Sequence, residues 1–331
     1  MKLLTRLGHG LTHSLAGALH CVAAATAAHA GPFSSMVVFG DSLSDSGNNA
    51  IAIGIDPTQV ITGNSYVPTF AYASGTYSNG DVWATMLADR LGLSIGPSLA
   101  GGTNYAYGGA VTRSDAPFPP SLRNQVTDYL SNGPAVDPNG LYVIAGGGNN
   151  VRDALDAIAG GAPIGATLIG TALRYAVDVG TMVDQLQAAG AQNIVVWNAP
   201  NVGFAPAVTA EGSLASLLGT TTASVMNAAL NQRLAGEQGV TTFDVFGLFG
   251  VVAADPASFG LSNITDACGQ FGAACDPSSF LFWDGLHLTS GGNAIVADAM
   301  FAAVIPEPGT WALLAVGLVV VGAAARRRTA V

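Results

Sequence analysis

Met36-Val-Val-Phe39 runs directly into Gly40-Asp-Ser-Leu43. A short apolar run rich in valine, followed by glycine and turn-forming residues, reads as a buried strand that ends in a sharp turn. Leu141-Tyr-Val-Ile-Ala145, Asn193-Ile-Val-Val-Trp197 and Val240-Thr-Thr-Phe-Asp-Val245 have the same character. Near-continuous apolar runs of this length suit a parallel sheet covered on both faces. Helical patterns are expected between them at 81–91, 121–130, 166–189 and 223–237, with a last helix over 290–304. A fifth strand is expected near 98–105, where glycines weaken the pattern. Alternating strands and helices predict an α/β fold with helices on both sides of the sheet. Polar groups that do chemistry then collect beyond the carboxyl ends of the strands.

Ser42 occupies that position after the first strand, and Asn149 after the second. Beyond residue 30 the chain has one histidine, His287, within Phe282-Trp-Asp-Gly-Leu-His-Leu-Thr289. Chemistry that needs an imidazole base therefore has one candidate. Asp284, three residues earlier, is suited to hold the ring in the orientation and tautomer of a general base. Ser42 is the candidate nucleophile, which such a base would activate. Glycines in Asn104-Tyr-Ala-Tyr-Gly-Gly109 and asparagines in Gly147-Gly-Asn-Asn150 could supply hydrogen bonds to an oxyanion. Asp41 and Asp45 are the rival carboxylates near Ser42, with Asp41 expected to brace the turn. Trp83 and Trp197 are expected in the core, whereas Tyr105 and Tyr107 stand evenly between packing and lining an acyl site. The loops 50–76 and 116–121 are expected to shape the pocket.

Residues 31–305 carry six arginines and no lysine against 20 carboxylates, a net charge near −14. Such a surface argues against nucleic acid and anionic membranes as partners and favours neutral or apolar substrates. One histidine and two cysteines in that stretch offer little to a transition metal, and no cofactor is expected. The length suits one α/β domain.

Both ends differ from this middle. Residues 1–30 combine Lys2 and Arg6 with an apolar stretch and Ala28-His29-Ala30, the pattern of a secretory signal removed before Gly31. In an exported chain Cys268 and Cys275 are expected to close a small disulfide loop worth about 2–3 kcal/mol, with free thiols as the alternative. At the other end, Pro306-Glu307-Pro308 precedes an uncharged run over 309–325 and then Arg326-Arg327-Arg328. As a helix that run would reach roughly 25 Å, the short end of a bilayer span, with the arginines held on the cytoplasmic side.

The middle resembles the GDSL/SGNH hydrolases. Gly40-Asp-Ser-Leu-Ser-Asp-Ser-Gly-Asn48 is similar to their signature, 104–110 to their glycine block, 147–150 to their asparagine block, and Asp284-Gly-Leu-His-Leu-Thr289 to their aspartate–histidine block. The resemblance implies a three-layer α/β/α sandwich around a mainly parallel, five-stranded sheet, and hydrolysis of carboxylic esters through a serine acyl-enzyme. It implies Ser42 as nucleophile, His287 as base and Asp284 as the group that orients it. The backbone N–H of Ser42, Gly109 (or Gly108) and the Asn149 amide would form the oxyanion hole. Asn150 stands where the family has aspartate, which puts the geometry of that loop in question. The chain has no Gly-x-Ser-x-Gly, against the common α/β-hydrolase elbow.

The tail from Pro306 resembles the PEP-CTERM sorting signal of Gram-negative bacteria. That resemblance implies recognition by an exosortase, transient inner-membrane association through the C-terminal helix, and a destination in the periplasm, at the surface or in the matrix. The expected division is thus a signal at 1–30, a catalytic domain at 31–305 and a sorting tail at 306–331. The expected activity is that of an exported esterase or lipase acting on small or lipid acyl esters. A polysaccharide O-deacetylase, an acyltransferase and a catalytically idle matrix protein are the alternatives.

Overall fold

The computed structural model describes residues 32–66 and 69–305; the signal-like segment and the sorting tail lie outside them. Four strands, β1 (Met36–Gly40), β2 (Leu141–Ala145), β3 (Asn193–Trp197) and β4 (Val240–Phe243), form one sheet in the order β1-β2-β3-β4. All pairs are parallel, and the register Gly40↔Ala145, Ile144↔Val196 and Trp197↔Phe243 brings their carboxyl ends level. The predicted strands are thus present; β1, β2 and β3 are buried as their apolar runs require, whereas edge strand β4 leaves Thr241 and Thr242 exposed.

Successive side chains leave a strand on opposite faces, so each strand feeds two cores. Met36, Val38, Val143 and Val195 pack with α2 (Trp83–Arg90), α8 (Val245–Ala254) and α9 (Ser290–Val304). Val37, Phe39, Ile144 and Val196 pack with α3 (Leu122–Asn132), α5 (Ile164–Ala188) and α7 (Ser213–Arg233). The result is the expected α/β/α sandwich. Trp83 and Trp197 stack in the first core with ring centroids 4.6 Å apart. Three further helices, α1 (Asn48–Ile53), α4 (Gly148–Ala159) and α6 (Pro206–Ala210), follow the loops after β1, β2 and β3.

The expected fifth strand is corrected. Ser98–Ala100 coils into one 3-10 turn, and the stretch forms no strand but a single parallel bridge of Asn104 to Val38. It still hydrogen-bonds β1, with Tyr105 N–H on the Val38 carbonyl at 2.7 Å and Tyr107 N–H on that of Gly40 at 3.2 Å. The glycines that weakened the pattern are the physical reason: a Cβ at Gly102 would stand 2.1 Å from the Gly96 carbonyl oxygen, so the chain folds back on itself there. A separate parallel pair, β5 (Asn263–Ala267) with β6 (Phe280–Phe282), was not expected.

Helix α7 begins ten residues before the expected 223, at Ser213. The stretch Gly219-Thr-Thr-Thr222 just before the expected start is poor in intrinsic propensity. Packing holds it: Gly219 meets Gly203 so closely that a Cβ would lie 2.9 Å from its backbone. Cys268 and Cys275 are joined as a disulfide, with Cα atoms 5.6 Å apart. Among the described residues no helix is long and apolar enough to cross a membrane, and the run 309–325 falls outside them.

Candidate active site

The turn after β1 is held from several sides. Asp41 accepts the N–H of Leu43 on its carboxylate (3.0 Å) and those of Ser44 and Asp45 on its carbonyl. The Gln125 amide clamps Gly40, donating to its carbonyl at 2.9 Å and accepting its N–H at 2.8 Å. Asp45 accepts the N–H groups of Gly47, Asn48 and Asn49, and that of Gly108 from the distant glycine block. Asn48 donates to the carbonyls of Asn104 and Ala106, completing the seam. Ser42 stands on this braced turn, 8% exposed.

The segment after β6 brings the base to it. His287 Nε2 lies 2.8 Å from Ser42 Oγ, and His287 Nδ1 lies 2.8 Å from Asp284 Oδ2. Asp284 is fully buried, and its second oxygen accepts the N–H of Leu286 (2.7 Å) and of His287 itself (2.6 Å). That Asx-type turn fixes the ring relative to its own carboxylate. Tyr72 donates its hydroxyl to Asp284 Oδ2 at 2.5 Å, and the Tyr77 ring stacks 5.2 Å from the imidazole. With the carboxylate on Nδ1, the tautomer that carries its proton there leaves Nε2 free to accept from Ser42.

Asn149 lies in the first turn of α4 and faces the same hollow as Ser42, Gly109 and His287. Its amide is pinned at both ends: Nδ2 donates to the Ala110 carbonyl at 2.9 Å and Oδ1 accepts from Arg152 at 3.1 Å. Arg152 also hydrogen-bonds the Tyr66 hydroxyl and lies 4.5 Å from that ring's centroid. Of the two glycines left open by the sequence, Gly108 has its N–H committed to Asp45, whereas Gly109 lines the hollow with φ +82°. Asn150, where the resembled family has aspartate, accepts the Thr112 N–H and donates to the Thr112 hydroxyl. The charge is supplied beneath by buried Asp178, bonded to the Thr112 hydroxyl and Arg123. The loop keeps its anchor without the carboxylate.

Of the two readings left open for Tyr105 and Tyr107, packing is the one the structure shows. Tyr105 packs against Phe39 and Tyr129, and Tyr107 against Phe118, away from the hollows at Ser42. The loop 50–76 contributes Tyr66 and Tyr72, which no local pattern singles out. An apolar hollow beside Ser42 comes instead from the loop after β3, α8 and residues 282–288. Among the described residues no group of three or more His, Cys, Asp or Glu is arranged to hold a metal ion.

Asp41 is 2% exposed, and burial pushes its carboxyl from 3.8 up to about 6, against the Leu43 N–H and the charges of His287 and Arg152. The folded chain then holds a proton there that the unfolded chain has released. The contribution of Asp41 to stability is therefore expected to fall as pH rises from 3.8 through about 6, and to stay lower above it. Asp41→Asn should remove up to about 3 kcal/mol of that decline. Thermal unfolding of both proteins across this range checks it; parallel curves would refute the effect.

A family model described as GDSL-like Lipase/Acylhydrolase matches residues 36–300, and one described as the PEP-CTERM protein-sorting motif matches 304–328. Esterase EstA of Pseudomonas aeruginosa is 30% identical over 329 residues, covering 82% of this chain and 47% of that protein. The phosphatidylcholine-sterol acyltransferase of Aeromonas hydrophila is 27% identical over 288 residues, covering 81% and 78%. An uncharacterized protein of Pseudomonas putida is 28% identical over 323 residues, covering 82% and 48%. The chain thus spans about half the length of EstA and of the Pseudomonas putida protein. With a family model matched from the first strand into the last helix, this chain belongs to the GDSL-like lipase/acylhydrolase family.

Proposed function

We propose that the protein is an exported carboxylic ester hydrolase working through a serine acyl-enzyme. The observation that carries this is the hydrogen-bond chain Ser42 Oγ, His287, Asp284, with both links at 2.8 Å and all three side chains buried. As Ser42 Oγ attacks the ester carbonyl, its proton passes to His287 Nε2. The imidazolium so formed is stabilised by Asp284. Negative charge developing on the carbonyl oxygen is met by the N–H groups of Ser42 and Gly109 and by the Asn149 amide. Collapse of the tetrahedral species breaks the bond to the alkoxy oxygen, and His287 returns the proton to the departing alcohol. Water, activated by His287, then attacks the acyl-Ser42 ester and releases the acid.

Family membership supports ester hydrolysis, and the sorting motif supports export from a Gram-negative cell. In this reading residues 1–30 are removed, 31–305 form the catalytic domain, and 306–331 engage an exosortase and tether the precursor transiently to the inner membrane. Transfer of the acyl group to an alcohol other than water is a second reading, supported by likeness to the Aeromonas hydrophila acyltransferase. Alcohol added to the assay separates the two: a transferase forms the new ester at the expense of free acid.

The oxyanion assignment has its own test. Asn149→Ala should lower kcat on p-nitrophenyl butyrate by about 10²–10³-fold, with KM little changed, because the amide acts on charge that exists only in the transition state. Loss appearing mainly in KM would assign Asn149 to ground-state binding instead. A folded wild-type chain inert on all esters would sink the whole reading.

A further inference from the structure

Two hollows meet at Ser42 and share Asn149 and Leu286. One is bounded by His287, Gly109, Tyr66, Tyr77 and Arg152. The other has Val202, Phe204, Ala205, Phe249, Phe282 and Leu288 among its walls. Phe249, Phe282 and Leu288 belong to the core, 3–6% exposed, and the Phe204 ring lies 5.9 Å from that of Phe282. The apolar hollow is therefore walled by packed side chains, with Asp41 the one ionisable lining group among the described residues.

The chemistry distributes the two halves of an ester between these spaces. A general acid must reach the alkoxy oxygen that departs, so the alcohol leaves on the side His287 lines. His287 lines only the first of the two hollows, although both share Ser42, Asn149 and Leu286. Resting on Ser42 as nucleophile, we propose that the apolar hollow is the acyl slot, and that the substrates are esters of uncharged straight acyl chains longer than acetyl. Buried Asp41 in its lining disfavours an acyl chain carrying a carboxylate. Each methylene taken from water into such walls strengthens binding in the transition state by about fourfold.

The test compares kcat/KM of the full chain on p-nitrophenyl acetate, butyrate and hexanoate, and on butyrate esters of alcohols of increasing length. A rise of about fourfold per acyl methylene is expected, with a weaker response to the alcohol. Ala205→Leu, which adds bulk at the slot wall, should lower the hexanoate-to-acetate ratio at least tenfold relative to wild type by ejecting the chain's end. Phe204→Ala, at a half-buried wall, should raise it. Thermal midpoints of both variants establish that they fold. A flat acyl series, or a ratio that neither folded variant moves, overturns the slot while Ser42-dependent acetate hydrolysis leaves the catalytic reading standing. A change in the alcohol series instead reverses the two sides and also overturns it. Absence of Ser42-dependent turnover on every ester overturns both.

Discussion

Ser42→Ala is expected to lower kcat on p-nitrophenyl butyrate by on the order of 10⁶-fold, leaving KM close to wild type. The hydroxyl removed is the atom 2.8 Å from His287 Nε2, and no other hydroxyl is hydrogen-bonded to that nitrogen among the described residues. What remains is a site that binds the ester and orients it toward oxyanion donors, which sustains about 10³–10⁴-fold over the uncatalysed reaction. Stability should change by about 1 kcal/mol, because one buried hydrogen bond is lost without a large cavity. His287→Ala should cost nearly as much, and the double variant little more, since nucleophile and base act as one unit. Steady-state rates with thermal midpoints check this. A Ser42→Ala loss of less than tenfold would mean that another group performs the attack.

Asp284→Asn is expected to lower kcat by about 10⁴-fold. The isosteric amide keeps an oxygen for the Leu286 and His287 N–H groups, which wild-type Asp284 accepts at 2.7 and 2.6 Å. Its NH₂ then faces His287 Nδ1 and the Tyr72 hydroxyl, where Asp284 Oδ2 accepts from both. Nδ1 must become an acceptor, the proton moves to Nε2, and the imidazole confronts Ser42 as a donor. The base is lost although its position is kept. Loss of charge from a site with no exposure also removes the stabilisation of the imidazolium that forms during attack. Equal kcat for Asp284→Asn and wild type, with both folded, would show that orientation of His287 does not depend on this carboxylate.

The first three strands of the main sheet were legible because each is a short apolar run between turn residues, the simplest signal a parallel sheet leaves. The fifth was not, since Gly101 and Gly102 permit a turn that the apolar residues around them do not betray. Helix α8 escaped because it follows β4 after one residue and its apolar residues surround the axis, so it carries no helical stripe. The start of α7 escaped because packing of Gly219 on Gly203 overrides weak propensity. In the site, Ser42, Asp284 and His287 stood out by chemistry: a lone imidazole, a carboxylate three residues before it, and a serine on a turn after a strand. Tyr72, Arg152, Phe204 and Phe249 did not, because they arrive from loops and helices far away in sequence. The choice between Gly108 and Gly109 turned on which N–H Asp45 takes, a contact across 63 residues.

The most direct measurement is mass spectrometry of the full chain quenched in acid during turnover of p-nitrophenyl butyrate, followed by digestion. A butyryl group on the peptide that contains Ser42, absent in Ser42→Ala and appearing with a burst of nitrophenol stoichiometric with enzyme, is the expected result. Butyryl on a different residue, or turnover with a burst-free time course and the same rate in Ser42→Ala, would contradict a Ser42 acyl-enzyme.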